Sequence, residues 1–442
     1  MARLKPGCTI RTAAGEEIAV QDMLGEGGQG TVYRVFFRGR PYALKWYSHG
    51  AGDDPQRFWR NVYDNVQKGS PADTFLWPLA LTNMDADGCF GYVMALRPAE
   101  YKDFDLFLLN RVQFASFTAI VNAAMQITAS FKRLHNMGLS YQDLNDGNFF
   151  VNPDTGDVLI CDNDNVAAHG TNLGIQGKPK YMAPEVVTLS RMPDTHSDRF
   201  SLAVILFLLL FRAHPLTGRR DNPRTDPAKN EMSLYCTHPV FIFDPQDESN
   251  RPDPQIHKNA LLFWPLYPSG IRVLFIRAFS KELMGNDSSP AREGRVIEKE
   301  WLGELARLRT QIVRCPSCGE ETFFDAEDEE HECINCGRKF AAPPLLVLPR
   351  YKVPLQPGRK LFSYEVEQNL EIDAATLDVV AGEVVQNKNN PALWGLRNLT
   401  QKTWRRQTPS GKDEPCAPGG VIPVARKLKI DFAVDKTVGT IE

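Results

Sequence analysis

The chain has 442 residues, 43% of them hydrophobic and 24% charged, with a formal net charge of −3. That length accommodates two or three domains with ordinary cores. The near-neutral balance argues against wholesale binding of nucleic acid. Nine cysteines, four of them in tight pairs, suit metal binding better than a disulfide framework.

The amino-terminal stretch MARLKPGCTIRTAAGEE has no apolar core of the signal-peptide kind. The longest apolar run, FSLAVILFLLLF at 200–211, has twelve residues where a membrane span needs about twenty. It reads as a buried helix, and the expectation is a cytoplasmic protein without a membrane partner.

Residues 22–35, DMLGEGGQGTVYRV, place Gly25, Gly27 and Gly30 in the pattern G-x-G-x-x-G, with Gly28 inside it and Val32 just beyond. A dinucleotide fingerprint runs straight into a helix. Here the following TVYRVFFRG is β-branched and aromatic, and reads as a returning strand. The next strand, YALKWY, presents Lys45. A glycine turn that lets backbone amides approach phosphates, with a lysine on the neighbouring strand, resembles the protein-kinase arrangement.

The resemblance extends downstream. FTAIVNAAMQITASFKRLHNMG has helical apolar spacing and a capping Gly138. LSYQDLNDGNFFV then resembles the kinase catalytic loop, with Asp143 and Asn148 at the required separation. Asp162 follows a short hairpin, where the family places the aspartate of D-F-G. The resemblance implies that Asp143 receives the proton of an attacking hydroxyl. It implies that Gly25, Gly27, Gly28, Gly30, Val32 and Lys45 hold ATP, and that Asn148 and Asp162 offer oxygens to Mg²⁺ or Mn²⁺.

Four departures accompany it. Tyr141 and Gln142 stand where the family has histidine and arginine, and Asn145 stands where it has a phosphate-facing lysine. Asp162-Asn163-Asp164 replaces D-F-G. No glutamate occurs in the helical segment DPQRFWRNVYDNVQKG to pair with Lys45, leaving Asp64 as a candidate and Asn61 and Asn65 as neutral options. Losing one phosphate-facing charge costs about 3–4 kcal/mol of transition-state stabilisation, unless Lys178 or Lys180 replaces it.

Further landmarks keep the family order. Ala183-Pro184-Glu185 closes a short activation segment in which Thr171 is the one hydroxyl residue between Asp162 and Gly177. Asp198 is expected to hold the catalytic loop through its backbone amides, and Arg295 to pair with Glu185. GYVMALRP at 91–98 reads as the strand and hinge that receive adenine, near Met94. Residues 213–260, polar and proline-rich yet containing the apolar patch HPVFIFDP, read as an elaborated insertion and a candidate docking surface.

At 313–340, Cys315, Cys318, Cys333 and Cys336 form two C-x-x-C pairs, each followed by glycine. Four thiolates so spaced suit a closed structural zinc site and resemble a zinc ribbon; His331 is a spare ligand or a surface residue. Beyond it, RKLFSYEVE, LDVVAGEVVQN, ALWGLRNLT, TWRRQT and VIPVARKLKIDFAV are short strands punctuated by turns, a β-sandwich pattern. Arg359 and Asn398 give this part a resemblance to forkhead-associated domains, which read phosphothreonine.

The expected architecture is α+β: a two-lobed kinase domain over 1–310 (lobes 1–97 and 98–310), a zinc ribbon over 311–342 and a forkhead-associated-like sandwich over 343–442. The combination resembles bacterial Ser/Thr kinases of the tellurium-resistance, stress-response type. That likeness implies a protein substrate, with a metal-dependent phosphatase and a von Willebrand factor A-type protein as partners. The rival readings are a pseudokinase scaffold that binds nucleotide and recruits partners, and nucleotidyl transfer on the same fold.

Overall fold

The computed structural model describes residues 3–28, 30–48, 54–171, 177–285, 292–328 and 330–442. The chain forms two compact units. The first comprises Met1–Phe114, Ser130–Leu261 and Phe275–Ile297; the second comprises Ala115–Ala129, Leu262–Leu274 and Glu298–Glu442.

The first unit opens on an antiparallel sheet of six strands: β1 (Thr9–Arg11), β2 (Glu17–Glu26), β3 (Thr31–Phe37), β4 (Arg40–Tyr47), β5 (Ala80–Leu81) and β6 (Phe90–Met94), in the order β1-β2-β3-β4-β6-β5. Alternation sets its faces: Thr31, Tyr33, Val35 and Phe37 of β3 are buried while Arg34 and Phe36 are exposed. Helix α1 (Pro55–Lys68) starts where Asp54 accepts the amide of Arg57 at 3.0 Å and Pro55 fixes the first turn. It ends at Gly69, whose φ of 76° few other residues adopt readily. Phe58, Val62 and Asn65 are its buried residues.

After helix α2 (Phe117–Asn136), the chain turns through Gly138 at φ 71° into the loop that leads to β7 (Phe149–Val151) and β8 (Val158–Ile160). Helix α3 (Thr195–Phe211) contains the long apolar run, and every residue from Phe200 to Phe211 is buried. Apolar on all sides, it is a core helix, as the length of the run implies. Asp194 caps it by accepting the amides of His196 and Ser197, each at 2.9 Å.

Part of the 213–260 region is core. Phe241 and Ile242 are almost wholly buried, and Phe241 meets Phe207 of α3 edge-on at 5.6 Å. The centre of HPVFIFDP is therefore core of the first unit, while His238 and Pro245 at its ends are exposed. Asn250 fixes the fold-back, donating to the carbonyls of Leu216 at 2.9 Å and Val240 at 2.7 Å.

In the second unit, helix α4 (Glu298–Thr310) precedes two short hairpins, Ile312–Arg314 with Glu321–Phe323 and His331–Glu332 with Lys339–Phe340. Two sheets follow. One runs Lys352–Pro354, Leu345–Val347, Val438–Ile441, Lys429–Asp431, Trp404–Gln407, Asp413–Cys416; the other runs Lys360–Phe362, Val380–Gln386, Trp394–Asn398, Val421–Pro423. Leu346 pairs with Ile441, so the first and last strands are neighbours. RKLFSYEVE is only half strand: Ser363–Val366 turns into a helix because the Glu365 carboxylate accepts the Phe362 amide at 2.7 Å.

No helix among the described residues is long and apolar enough to cross a membrane.

Candidate active site

The glycine turn between β2 and β3 is closed by a bond from the Gly27 amide to the Gly30 carbonyl, 2.9 Å. Gly30 is sterically required: a Cβ there would stand 2.5 Å from the carbonyl oxygen of Trp46. Gly25 and Gly28 face open space. Val32 pairs in register with Lys45 across β3 and β4, which places the lysine beside the turn. Met94, at the end of β6, is buried in the same apolar cluster as Tyr92 and Cys161.

The Lys45 side chain is 7% exposed, and its Nζ lies 2.9 Å from Asp164 Oδ2 and 3.2 Å from Asp162 Oδ1. Burial pushes the ammonium's pKa down, but the carboxylate of Asp164, with help from Asp162, holds it well above its ordinary value. The helix offers no acid to it. Asp64 is exposed and lies off the buried seam of α1. Asn61 and Asn65 instead face the Asp162–Asn165 turn, donating to the Val166 carbonyl at 2.8 and 2.7 Å. The candidate Asp64 is thus not the partner; Asp164 is, from the same segment as Asp162.

Asp143 is mostly buried. Loss of solvent, reinforced by the charge of Asp162, pushes its carboxyl up to about 6, against the lowering pull of Asn145, Lys178 and Lys45. Asn145 Nδ2 lies 3.2 Å from Asp143 Oδ1, and Asn165 Nδ2 lies 3.5 Å from Oδ2. A cation does stand next to Asn145: Lys178 Nζ reaches Asn145 Oδ1 at 3.0 Å and Asp146 Oδ1 at 3.2 Å. Lys180 sits farther out, 3.9 Å from Asp146.

Asn148 is buried, and its Oδ1 accepts the Asn145 amide at 3.0 Å in a reciprocal cap. A carbonyl oxygen has two lone pairs, so one remains for a cation. Asp162 takes φ 54° and ψ 42°, a left-handed conformation costly for a non-glycine residue, and its side chain is 44% exposed. The Cys161 amide donates to the Asn148 carbonyl at 2.9 Å, linking the two segments through backbone, and a carboxylate with an amide oxygen is the kind of donor pair that suits a hard ion such as Mg²⁺.

The loop itself is held from below. Asp198 accepts the amides of Tyr141 at 2.6 Å and Gln142 at 3.0 Å, and lies 3.0 Å from His135 Nε2. Tyr141 donates its hydroxyl to the Cys161 carbonyl, tying this loop to the residue before Asp162. Gln142, at φ 73°, donates to the carbonyl of Thr171; the stretch 172–176 lies outside the described residues. Arg295 grips Glu185 with bonds of 2.8 and 2.9 Å, and Arg292 bridges Glu185 at 3.0 Å and Asp194 at 2.5 Å.

In the second unit the four cysteine sulfurs all lie within 4.8 Å of one another, with Cys315–Cys336 at 3.8 Å and Cys318–Cys333 at 3.7 Å. A tetrahedron with metal–sulfur bonds of about 2.3 Å has edges of about 3.8 Å, so the donor set fits zinc. Two matching turns build it: the amides of Gly319 and Gly337, both at positive φ, donate to the carbonyls of Cys315 and Cys333. His331 lies against the ring of Phe324, 4.3 Å between centroids, and does not join the cluster. Arg359 and Asn398 are both turned inward. Arg359 pairs with Glu365 at 2.6 Å, and Asn398 donates to the Lys402 carbonyl at 2.8 Å.

Residues 88–265 match the protein kinase domain family. The glycine turn and Lys45 precede that match. Protein kinase YegI of Escherichia coli K12 is 26% identical over 336 residues, which cover 71% of this chain and 48% of YegI. Probable serine/threonine-protein kinase C70.05c of Schizosaccharomyces pombe is 29% identical over 125 residues, 25% of this chain and 16% of that protein. Probable serine/threonine-protein kinase gdt4 of Dictyostelium discoideum is 25% identical over 224 residues, 47% of this chain and 13% of that protein. The chain spans about half the length of the YegI proteins it matches. Residues 88–265 are thus similar to a protein kinase domain, and the longer likeness is to a bacterial kinase.

Proposed function

We propose that the chain transfers the γ-phosphoryl group of Mg-ATP to serine or threonine hydroxyls of a protein substrate. The observation that carries this reading is the arrangement around Asp162: a buried ammonium at 3.2 Å, and an aspartate, Asp143, whose carboxyl is raised towards neutrality. Lys45 and the amides of the glycine turn would hold the phosphates. Asn148 and Asp162 would hold magnesium, which when bound neutralises charge on the phosphate oxygens. Asp143 orients the attacking hydroxyl and takes its proton as the new oxygen–phosphorus bond forms. The bond from the γ-phosphorus to the β,γ-bridging oxygen breaks, and ADP leaves with its electron pair. Alignment and charge stabilisation supply most of the acceleration.

Around this core we read 1–310 as the kinase domain, 311–342 as a zinc ribbon and 343–442 as a forkhead-associated-like sandwich. The setting proposed is bacterial stress response of the tellurium-resistance type, with a metal-dependent phosphatase and a von Willebrand factor A-type protein as partners. Phosphothreonine reading by the sandwich is the weakest element, because Arg359 and Asn398 are engaged internally.

The test is incorporation of label from γ-labelled ATP into the chain itself and into dephosphorylated casein, for wild type, Asp143→Ala and Asp162→Ala. Transfer by wild type that both variants lose, with folding intact by circular dichroism, supports the reading. Equal transfer by all three refutes the mechanism. One observation favours the pseudokinase alternative: Asp64, the one acid of α1, is exposed and lies off its buried seam, so the helix offers Lys45 no carboxylate. An ATP-dependent thermal shift with no γ-phosphate transfer would establish that alternative, and transfer from α-labelled ATP would establish nucleotidyl chemistry.

A further inference from the structure

We infer that Asp164 is the permanent counter-ion of Lys45, doing from the metal-binding segment what a glutamate on α1 would otherwise do, so that the lysine is positioned without reference to the helix. The inference rests on the kinase reading for its catalytic consequences, though not for the ion pair itself.

Asp164 is completely buried, and its Oδ2 receives both the Lys45 ammonium at 2.9 Å and the Tyr47 hydroxyl. Oδ1 has no hydrogen-bond partner among the described residues. A buried carboxylate with a free oxygen is costly and persists where a charge opposite requires it. Asp162, the other acid near Lys45, is 44% exposed and is the one able to turn towards a cation. The two aspartates thus divide the work: one fixes the amine, the other faces the phosphates.

The α1 side of the site is neutral. Among the described residues the side-chain amides of Asn61 and Asn65 donate to backbone carbonyls of the same segment, at 3.3 Å to Asp164 and at 2.8 and 2.7 Å to Val166. In the usual arrangement, withdrawing the helix removes the acid and disables the lysine. Here withdrawing α1 breaks amide contacts and leaves the charge pair in place. Lys45, Tyr47 and Asp164 form a unit that α1 braces without completing.

Two measurements on the full chain test this. The first is steady-state transfer to dephosphorylated casein. Asp164→Asn is expected to raise the KM for ATP about tenfold and lower kcat/KM about a hundredfold, while Asp64→Asn stays within twofold of wild type. Adding Asn61→Glu to Asp164→Asn should recover at least tenfold of the loss, because it returns an acid to the helix. The second needs no activity: melting temperatures of Lys45→Met, Asp164→Asn and the double variant. Strongly non-additive shifts support the pair. Additive shifts, an Asp164→Asn variant within twofold of wild type, or an equal loss from Asp64→Asn would each overturn it. If wild type transfers no phosphate while the melting shifts are non-additive, the kinase reading fails and the ion pair stands.

Discussion

The ammonium of Lys45 lies 2.9 Å from Asp164, a residue 119 positions away in sequence, while Asp64 on the neighbouring helix is exposed. Both charges of the near pair are buried, so neither can relax into water. Four further expectations concern Asp143, Lys178, Glu185 and the four paired cysteines.

The Asp143 carboxyl is raised to about 6, and the base form is the ionised one. Protonation as pH falls through that value removes the base. kcat/KM should be level from pH 7 to 8 and drop about tenfold per unit below pH 6. A pH–rate profile on the casein reaction checks this. A profile flat to pH 5 would place the base elsewhere.

Lys178 stands where it can supply the positive charge that Asn145 lacks, 3.0 Å from the Asn145 amide oxygen. Lys178→Ala should lower kcat about tenfold, with little change in the KM for ATP. The figure is below that of a buried oxyanion donor because the side chain is half exposed. Lys178→Arg should recover most of the rate, and a loss confined to KM would contradict the assignment.

Burial pushes the Glu185 carboxyl up, but the Arg295 fork, aided by Arg292, brings it below its ordinary range. A lowered carboxylate contributes stability above its unfolded pKa and loses it as pH falls through the folded one. Arg295→Ala should destabilise the first unit by about 3–5 kcal/mol at neutral pH, less whatever Arg292 compensates. Urea unfolding at pH 7 and at pH 4 measures both the loss and its shrinkage in acid.

The cysteine tetrahedron should hold about one zinc per chain by elemental analysis. Cys333→Ser with Cys336→Ser should lose it, and strong chelators should unfold the knuckles. Because the site and the kinase residues belong to separate compact units, nucleotide affinity is expected to change less than twofold. Full zinc retention in the double variant would remove these cysteines as ligands.

Much of the site was legible because rigid geometry fixes its intervals. A glycine turn must sit one strand from its lysine, and Asp143, Asn148 and Asp162 are separated by a single cap and hairpin. Cysteine pairs read equally well, since each knuckle closes over a fixed glycine. What stayed hidden depends on direction. Asp64 has a plausible separation from Lys45, but the buried seam of α1 is Phe58, Val62 and Asn65. Asp164 becomes visible only once the short helical turn at Asn163–Asn165 aims it inward. HPVFIFDP shows the same limit: an apolar run announces burial somewhere, without saying that Phe207 is its neighbour. The order of the sandwich strands, with first beside last, has no local signature at all.

Asp162 keeps its carboxylate on a backbone that glycine would occupy at ease, with φ at 54°. Replacement by glycine would ease that backbone and at the same stroke remove the oxygen that stands 3.2 Å from the Lys45 ammonium, so conformational comfort and the second half of the charge cluster cannot both be had at this position.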